Sequence, residues 1–267
     1  MHFIFDPNRF LMEFAICDLA VIPVRKEPAD KSELVTQILF GDIMEIHETN
    51  KSWLRVKTQW DQYEGWIDEK QVKKIPAKEY QLFSSAVPKC AALLLTLVSN
   101  ERMSMNIFMG STLPFVRDGV IRVAGEEFSF TSEHTDGTAH PEMISGYALK
   151  LLHAPYLWGG RSPLGLDCSG FTHLVLKLCG IQLRRDAWQQ SEQGILVPFI
   201  DQARAGDLAF FQNAEGRIHH VGIILDRNRI IHASGRVRLD TIDHFGIYNE
   251  EQKKYSHPLR FIRRITG

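Results

Sequence analysis

The apolar residues of this chain do not keep one period along its length, and the change between periods requires separately packed units. Between about Cys17 and Ile75 they form short alternating runs: Ala20-Val21-Ile22, Leu34 to Phe40, Ile43 to His47, Trp53 to Val56 and Gly65-Trp66-Ile67. Turn residues such as Gly41-Asp42 and Thr49-Asn50 separate them. Between Cys168 and Leu178 the spacing is helical instead, through Phe171, Leu174, Val175 and Leu178, and Gly180 ends the run. A period of two pleats a sheet and a period of 3.6 coats one face of a helix, so one layer cannot serve both. A chain of 267 residues has room for about two or three cores.

Three units follow, at 1–76, 77–138 and 139–267. The first holds an N-terminal segment and a small β-barrel. The second carries further β-type segments, Ala91 to Val98, Thr112 to Val116, Val120 to Val123 and Phe128 to Thr131, spaced as a second, degenerate barrel. In the third, a helix over Met143 to Leu152 leads into the Pro- and Gly-punctuated loop from Pro155 to Gly165, then into the helix opening at Asp167-Cys168-Ser169. A polar helical stretch from Asp186 to Gln193 follows, then strands at Gly206 to Phe211, His219 to Leu225 and Arg229 to His232. Helices first and an antiparallel meander afterwards make the class α+β.

Composition narrows the partners. With 31 Lys and Arg against 32 Asp and Glu, the net charge of -1 offers no field for a polyphosphate, so no nucleic-acid partner is expected. Met1 to Phe14 lacks a basic segment followed by an apolar one, which reads as no secretory signal and a cytoplasmic location. The longest apolar run, Cys90 to Val98, is about half of what a membrane span requires. Cys17, Cys90, Cys168 and Cys179 contain no C-x-x-C pair; Cys17, Cys90 and Cys179 read as core thiols. His134, Asp136 and His140 sit among Gly, Thr and Ser and read as a linker; no metal and no cofactor is expected.

Cys168 differs from the other three. It opens an amphipathic helix, where unpaired N–H groups and the positive helix end favour a thiolate, and small residues beside it leave room for substrate. A cysteine nucleophile needs a base, and His220 is presented from a strand. His232 falls beside His220 if the two strands pair through Asp226-Arg227-Asn228, while alternation turns His219 to the opposite face.

Five motifs then stand in order: Pro155-Tyr156-Leu157-Trp158-Gly159-Gly160, Leu166-Asp167-Cys168-Ser169-Gly170-Phe171, Ala205-Gly206-Asp207-Leu208, His220-Val221-Gly222-Ile223 and Ile231-His232-Ala233. Over roughly residues 140–267 the chain resembles the NlpC-type family of bacterial cell-wall cysteine peptidases. With SH3-like domains ahead of that region, the whole chain is similar to γ-D-glutamyl-L-diamino acid endopeptidases. The resemblance implies a papain-like core in which Cys168 attacks the γ-D-glutamyl carbonyl, His220 moves the protons and His232 fixes the imidazole. Cys168 N–H and the Tyr156 hydroxyl would hold the oxyanion. It implies a peptidoglycan-derived peptide, L-Ala-γ-D-Glu-diamino acid with a free N-terminus, bound by Glu33 and Tyr63 from the first barrel and by Trp158, Asp167, Ser169 and Asp186 from the peptidase domain. The third residue, meso-diaminopimelate or L-Lys, stays open, and cell-wall peptide recycling is the expected setting. Ala187 stands where similar sequences commonly carry Ser, which removes one substrate hydrogen bond. A Cys-His-His core also suits an N-acetylmuramoyl-L-alanine amidase or an acyltransferase, and SH3-like domains also suit a non-catalytic wall-binding adaptor.

Overall fold

The computed structural model describes residues 12–265, so the stretch read for a leader, Met1 to Phe14, lies outside them except for its last three residues. Seven short strands build the first unit: β1 Glu13–Ile16, β2 Val21–Arg25, β3 Leu34–Leu39, β4 Ile43–Asn50, β5 Trp53–Thr58, β6 Glu64–Asp68 and β7 Lys73–Ile75. They pair antiparallel in the order β3-β2-β6-β5-β4-β1-β7. Alternate residues point inward, so Ile22, Val24, Ile38, Met44, Leu54, Val56 and Ile67 form a core of their own. A helix, α1 Ala77–Ser85, follows. The second unit is a four-stranded antiparallel sheet of β8 Leu95–Ser99, β9 Ser104–Phe108, β10 Val120–Val123 and β11 Glu126–Phe130. It packs Phe128 and Phe130 against Phe40 of the first unit.

In the third unit, α2 Ile144–Lys150 precedes a two-residue ribbon, β12 Arg161–Ser162 with β13 Gly165–Leu166. Then comes α3 Cys168–Leu178, every residue of which is buried, and the short α4 Ala187–Gln190. The sheet contains more strands than the three the apolar runs predict. They are β14 Ile195–Val197, β15 Leu208–Gln212, β16 Ile218–Asp226, β17 Arg229–Ser234, β18 Arg236–Ile242, β19 Gly246–Asn249 and β20 Lys254–Arg264, in the order β14-β20-β15-β16-β17-β18-β19. Because β20 also pairs with β19, six of these strands close into a ring. The later strands escaped the pattern because they carry mixed polar and apolar residues on a partly solvated face. Among the described residues, no helix is long and apolar enough to cross a membrane.

The first unit docks on the third through polar contacts as well as core. A Cβ on Gly159, at φ +74°, would sit 2.2 Å from the Leu34 carbonyl oxygen, so this loop lies backbone to backbone against the start of β3. Arg161 N–H donates to Gln37 Oε1 at 2.8 Å and Arg185 Nε to Thr36 Oγ1 at 2.8 Å. At the other end of α3, Lys177 donates to Asp42 Oδ1 at 2.7 Å, to the Gly110 carbonyl at 3.0 Å and to Thr112 Oγ1 at 3.0 Å, joining all three units.

Candidate active site

Asp167 caps α3: its Oδ1 accepts the Gly170 N–H at 2.6 Å. That cap places Cys168 in the first turn, where the backbone N–H groups of Ser169 and Val221 point at its sulfur. The helix start favours the thiolate, but burial opposes it more strongly, and with the Asp167 charge nearby the thiol is pushed up to about 12. Burial also holds His220 well below its ordinary value, and the neighbouring His232, His257 and His219, when protonated, act in the same direction by like-charge repulsion. Both shifts act against the ion pair that the helix start alone favours.

The histidines form a relay. Gly222 on β16 lies opposite His232 on β17, so His220 is its diagonal neighbour on the same face. His220 Nε2 is 2.8 Å from His232 Nδ1, and His232 Nε2 is 2.9 Å from Asp240 Oδ2. Burial would raise Asp240, but hydrogen bonds from His232 and Arg238 outweigh it and keep the carboxyl ionised. An ionised carboxylate only accepts, so His232 donates from Nε2 and accepts at Nδ1, and His220 donates from Nε2. The free lone pair of His220 is then at Nδ1, the nitrogen left for the thiol that lines the same cleft.

Gly222 is required for this contact: a Cβ there would lie 2.8 Å from the His232 Cβ and 2.8 Å from Ile230 Cδ1. Gly222→Ala is expected to push His232 off His220 and lower kcat about a hundredfold, the scale of a 1 Å misplacement. Steady-state kinetics on the folded variant checks this, and an unchanged kcat would show that the site absorbs the methyl group.

The cleft, about 780 Å3 in volume, runs between the first and third units. Cys168, Tyr156, His220, Trp158, Glu33, Tyr63 and Asp186 all line it. Trp158 Nε1 donates to Glu33 Oε1 at 2.8 Å across the domain boundary, and Lys26 lies 3.5 Å from Glu33 Oε2. The Tyr63 hydroxyl faces Asp186; burial first, then the Asp186 charge, pushes the phenol up. Burial likewise raises Asp186, partly offset by Arg185. Two carboxylates lining a half-buried cleft suit an ammonium group.

Asp167 and Ser169 line the cleft as well, and their side chains are also bound within the protein. Asp167, besides capping α3, accepts Gly159 N–H at 2.9 Å and both guanidinium ends of Arg185, at 3.0 and 2.8 Å. The Ser169 hydroxyl lies 2.9 Å from Arg185 Nη1 and 3.3 Å from Asp167 Oδ1. Arg185 is 1% exposed, and a charge so desolvated takes up every acceptor in reach. Both side chains thus build the floor of the site. The residues that sequence reasoning missed are Arg185, Asp240, Arg238 and His257. Only a register carried through three strands places Asp240 behind His232, and no local pattern announces that.

The family model described as the NlpC/P60 family matches residues 153–252, and the model of a bacterial dipeptidyl-peptidase SH3 domain matches residues 24–72. The chain is 32% identical over 217 residues to a γ-D-glutamyl-L-lysine dipeptidyl-peptidase of Bacillus subtilis (strain 168), covering 74% of this chain and 71% of that one. It is 29% identical to dipeptidyl-peptidase 6 of Lysinibacillus sphaericus, over 81% of this chain and 87% of that one. In fold it is similar to the crystal structure of an NlpC/P60 family protein from Bacillus cereus ATCC 10987, with a TM-score of 0.79 and 20% identity, covering 94% of this chain and 99% of that one.

Proposed function

The chain belongs to the NlpC/P60 family of cysteine peptidases, and from that premise we propose that it cleaves the γ-D-glutamyl to diamino acid bond of murein peptides that carry a free N-terminal L-Ala, in cell-wall peptide recycling. The observation that carries this reading is that Glu33, Tyr63 and Asp186 line the same cleft as Cys168. An L-Ala ammonium held there would set the length of chain between the amine and the reacting carbonyl.

Cys168 Sγ attacks the γ-carbonyl as His220 Nδ1 takes its proton. The Cys168 N–H and the Tyr156 hydroxyl receive the oxyanion, and burial keeps that phenol protonated, with its pKa raised to about 12. The imidazolium then protonates the leaving amine and a thioester remains. Water, deprotonated by His220, releases L-Ala-γ-D-Glu and restores the thiol. Trp158 closes the amine end through its bond to Glu33. The names of the relatives support a dipeptide-releasing reaction and an L-Lys third residue, with meso-diaminopimelate the other candidate.

Mass spectrometry of L-Ala-γ-D-Glu-L-Lys and of its meso-diaminopimelate counterpart, each free and N-acetylated, tests the proposal. Only the free peptides are expected to be cut, and Cys168→Ala is expected to cut none. Glu33→Gln and Asp186→Asn are each expected to raise KM about tenfold or more, the cost of a lost charged hydrogen bond at roughly 1.5–3 kcal/mol. Equal cleavage of acetylated peptide removes the amine pocket, and a wild type that cuts none of these peptides removes the endopeptidase reading.

A further inference from the structure

Every member of the relay from Cys168 to Asp240 lies within residues 153–252; His257 lies beyond that stretch, on β20, and reaches the same cleft. Its ring lies 4.1 Å from that of His220 at 27°, a stacked arrangement, and 5.7 Å from that of His232 at 78°. Its Nδ1 is 2.8 Å from Ser256 Oγ, which fixes its rotation. The other neighbours of the His220 ring are His232, edge-on at 5.0 Å, Phe211, at 5.7 Å, and His219, at 6.4 Å. His257 is therefore the ring that covers the base face to face, at the corner where β20 passes from pairing with β15 to pairing with β19.

The base needs such a partner because its charge changes during turnover. As Cys168 gives up its proton, His220 becomes an imidazolium in a site from which water is largely excluded. His232 and Asp240 satisfy its Nε2–H edge, but a cation also gains from an electron-rich ring against its face. We propose, on the reading of Cys168 and His220 as nucleophile and base given above, that His257 is a positioning residue: an uncharged imidazole stacked on His220 that holds its plane and stabilises the imidazolium formed in each turnover.

The role requires His257 to stay neutral, since a second cation at 4.1 Å would repel the first. The groups around it act in that direction. His219 and His220 face it from β16 and His232 from β17, and His232 and His219 disfavour another positive charge. Asp240 on β18 is the one carboxylate acting the other way, Cys168 on α3 is a thiol, and Phe211 on β15 and Ile247 on β19 carry no charge. Burial first, then His232 and His219, holds His257 down to about 4.

The test compares His257→Phe, which keeps an aromatic face, with His257→Ala, which removes it. Circular dichroism checks that each is folded. Two readouts are taken against pH: kcat and KM on the murein peptide, and the rate at which iodoacetamide alkylates Cys168, located by peptide mapping. Alkylation needs no knowledge of the substrate, so a wrong peptide and a wrong role for His257 give different results. His257→Ala is expected to lower kcat and the neutral-pH alkylation rate together by roughly tenfold, the scale of a partly desolvated cation–ring contact, with KM within about threefold. His257→Phe is expected to restore both to within about threefold of wild type. Three results would overturn the proposal: an alanine variant with wild-type rates, a loss confined to KM, or a phenylalanine variant as impaired as the alanine one.

Discussion

Asp240→Asn is expected to lower kcat by about a hundred- to ten-thousandfold with KM within a few-fold of wild type. The effect exceeds the loss of one charge because the whole relay depends on a group that only accepts. Asp240 Oδ2 takes the His232 Nε2–H at 2.9 Å, and this leaves a lone pair on His232 Nδ1 for the His220 Nε2–H at 2.8 Å. An asparagine amide can donate at that position. His232 would then carry its proton on Nδ1 and donate toward His220 Nε2, and His220 would hold its own proton on Nδ1, the nitrogen that must receive the thiol proton. The geometry survives and the tautomer is wrong. Steady-state kinetics, with a denaturation curve to show the variant folded, measures it; a loss below about tenfold would mean that His220 finds its working tautomer without the relay.

Asp42→Ala is expected to cost about 3–5 kcal/mol of stability, because it strands two buried cations. Asp42 on the first unit bonds Arg161 and Lys177 of the third, and Asp61 lies 3.8 Å from Arg161 and 3.2 Å from His173. Burial opposes the ionisation of Asp42, but Lys177 and Arg161 outweigh it; for Asp61, His173, Arg161 and Thr58 do the same. Two carboxylates and two cations already balance, so His173 is buried neutral, held down to about 4 by burial against the pull of Asp61. A urea midpoint lowered at constant slope, with a smaller loss in the Asp42→Asn/Lys177→Met pair than the single variants predict together, would show the coupling. A loss under about 1 kcal/mol in Asp42→Ala would mean that the cluster is not what joins the units.

The same cluster sets an acid limit. His173 has a folded value below its unfolded value of about 6.5, so the unfolded chain binds the proton first. Stability present above about pH 6.5 is then lost as the pH falls toward about 4, by roughly 3 kcal/mol from this group. Melting temperatures across that window, compared with those of His173→Gln, measure the share that belongs to His173.

Asp167, Cys168 and the four apolar residues of α3 were legible in the sequence, since a cap and a 3.6 period act within about ten residues. His220 and His232 were legible for a similar reason: a two-strand hairpin with a short turn has few registers, and one of them puts the two rings together. Neither argument reaches Asp240 or His257. Asp240 arrives on β18, one further hairpin along the chain, and His257 on β20, whose pairing with β15 and β19 closes the ring and is decided by which distant strand edges find partners. Nor did letters reveal that Asp167 and Ser169 are held by Arg185, because that depends on the guanidinium being enclosed by Thr36 of another unit. By itself, the sequence determined that Cys168 opens α3 and that His220 and His232 share one face of a hairpin, because backbone periodicity, capping and hairpin register are local. Only the tertiary structure decided which tautomer the relay holds, which ring stacks on His220 and which carboxylates face the cleft, because those depend on what desolvation leaves without water to pair with.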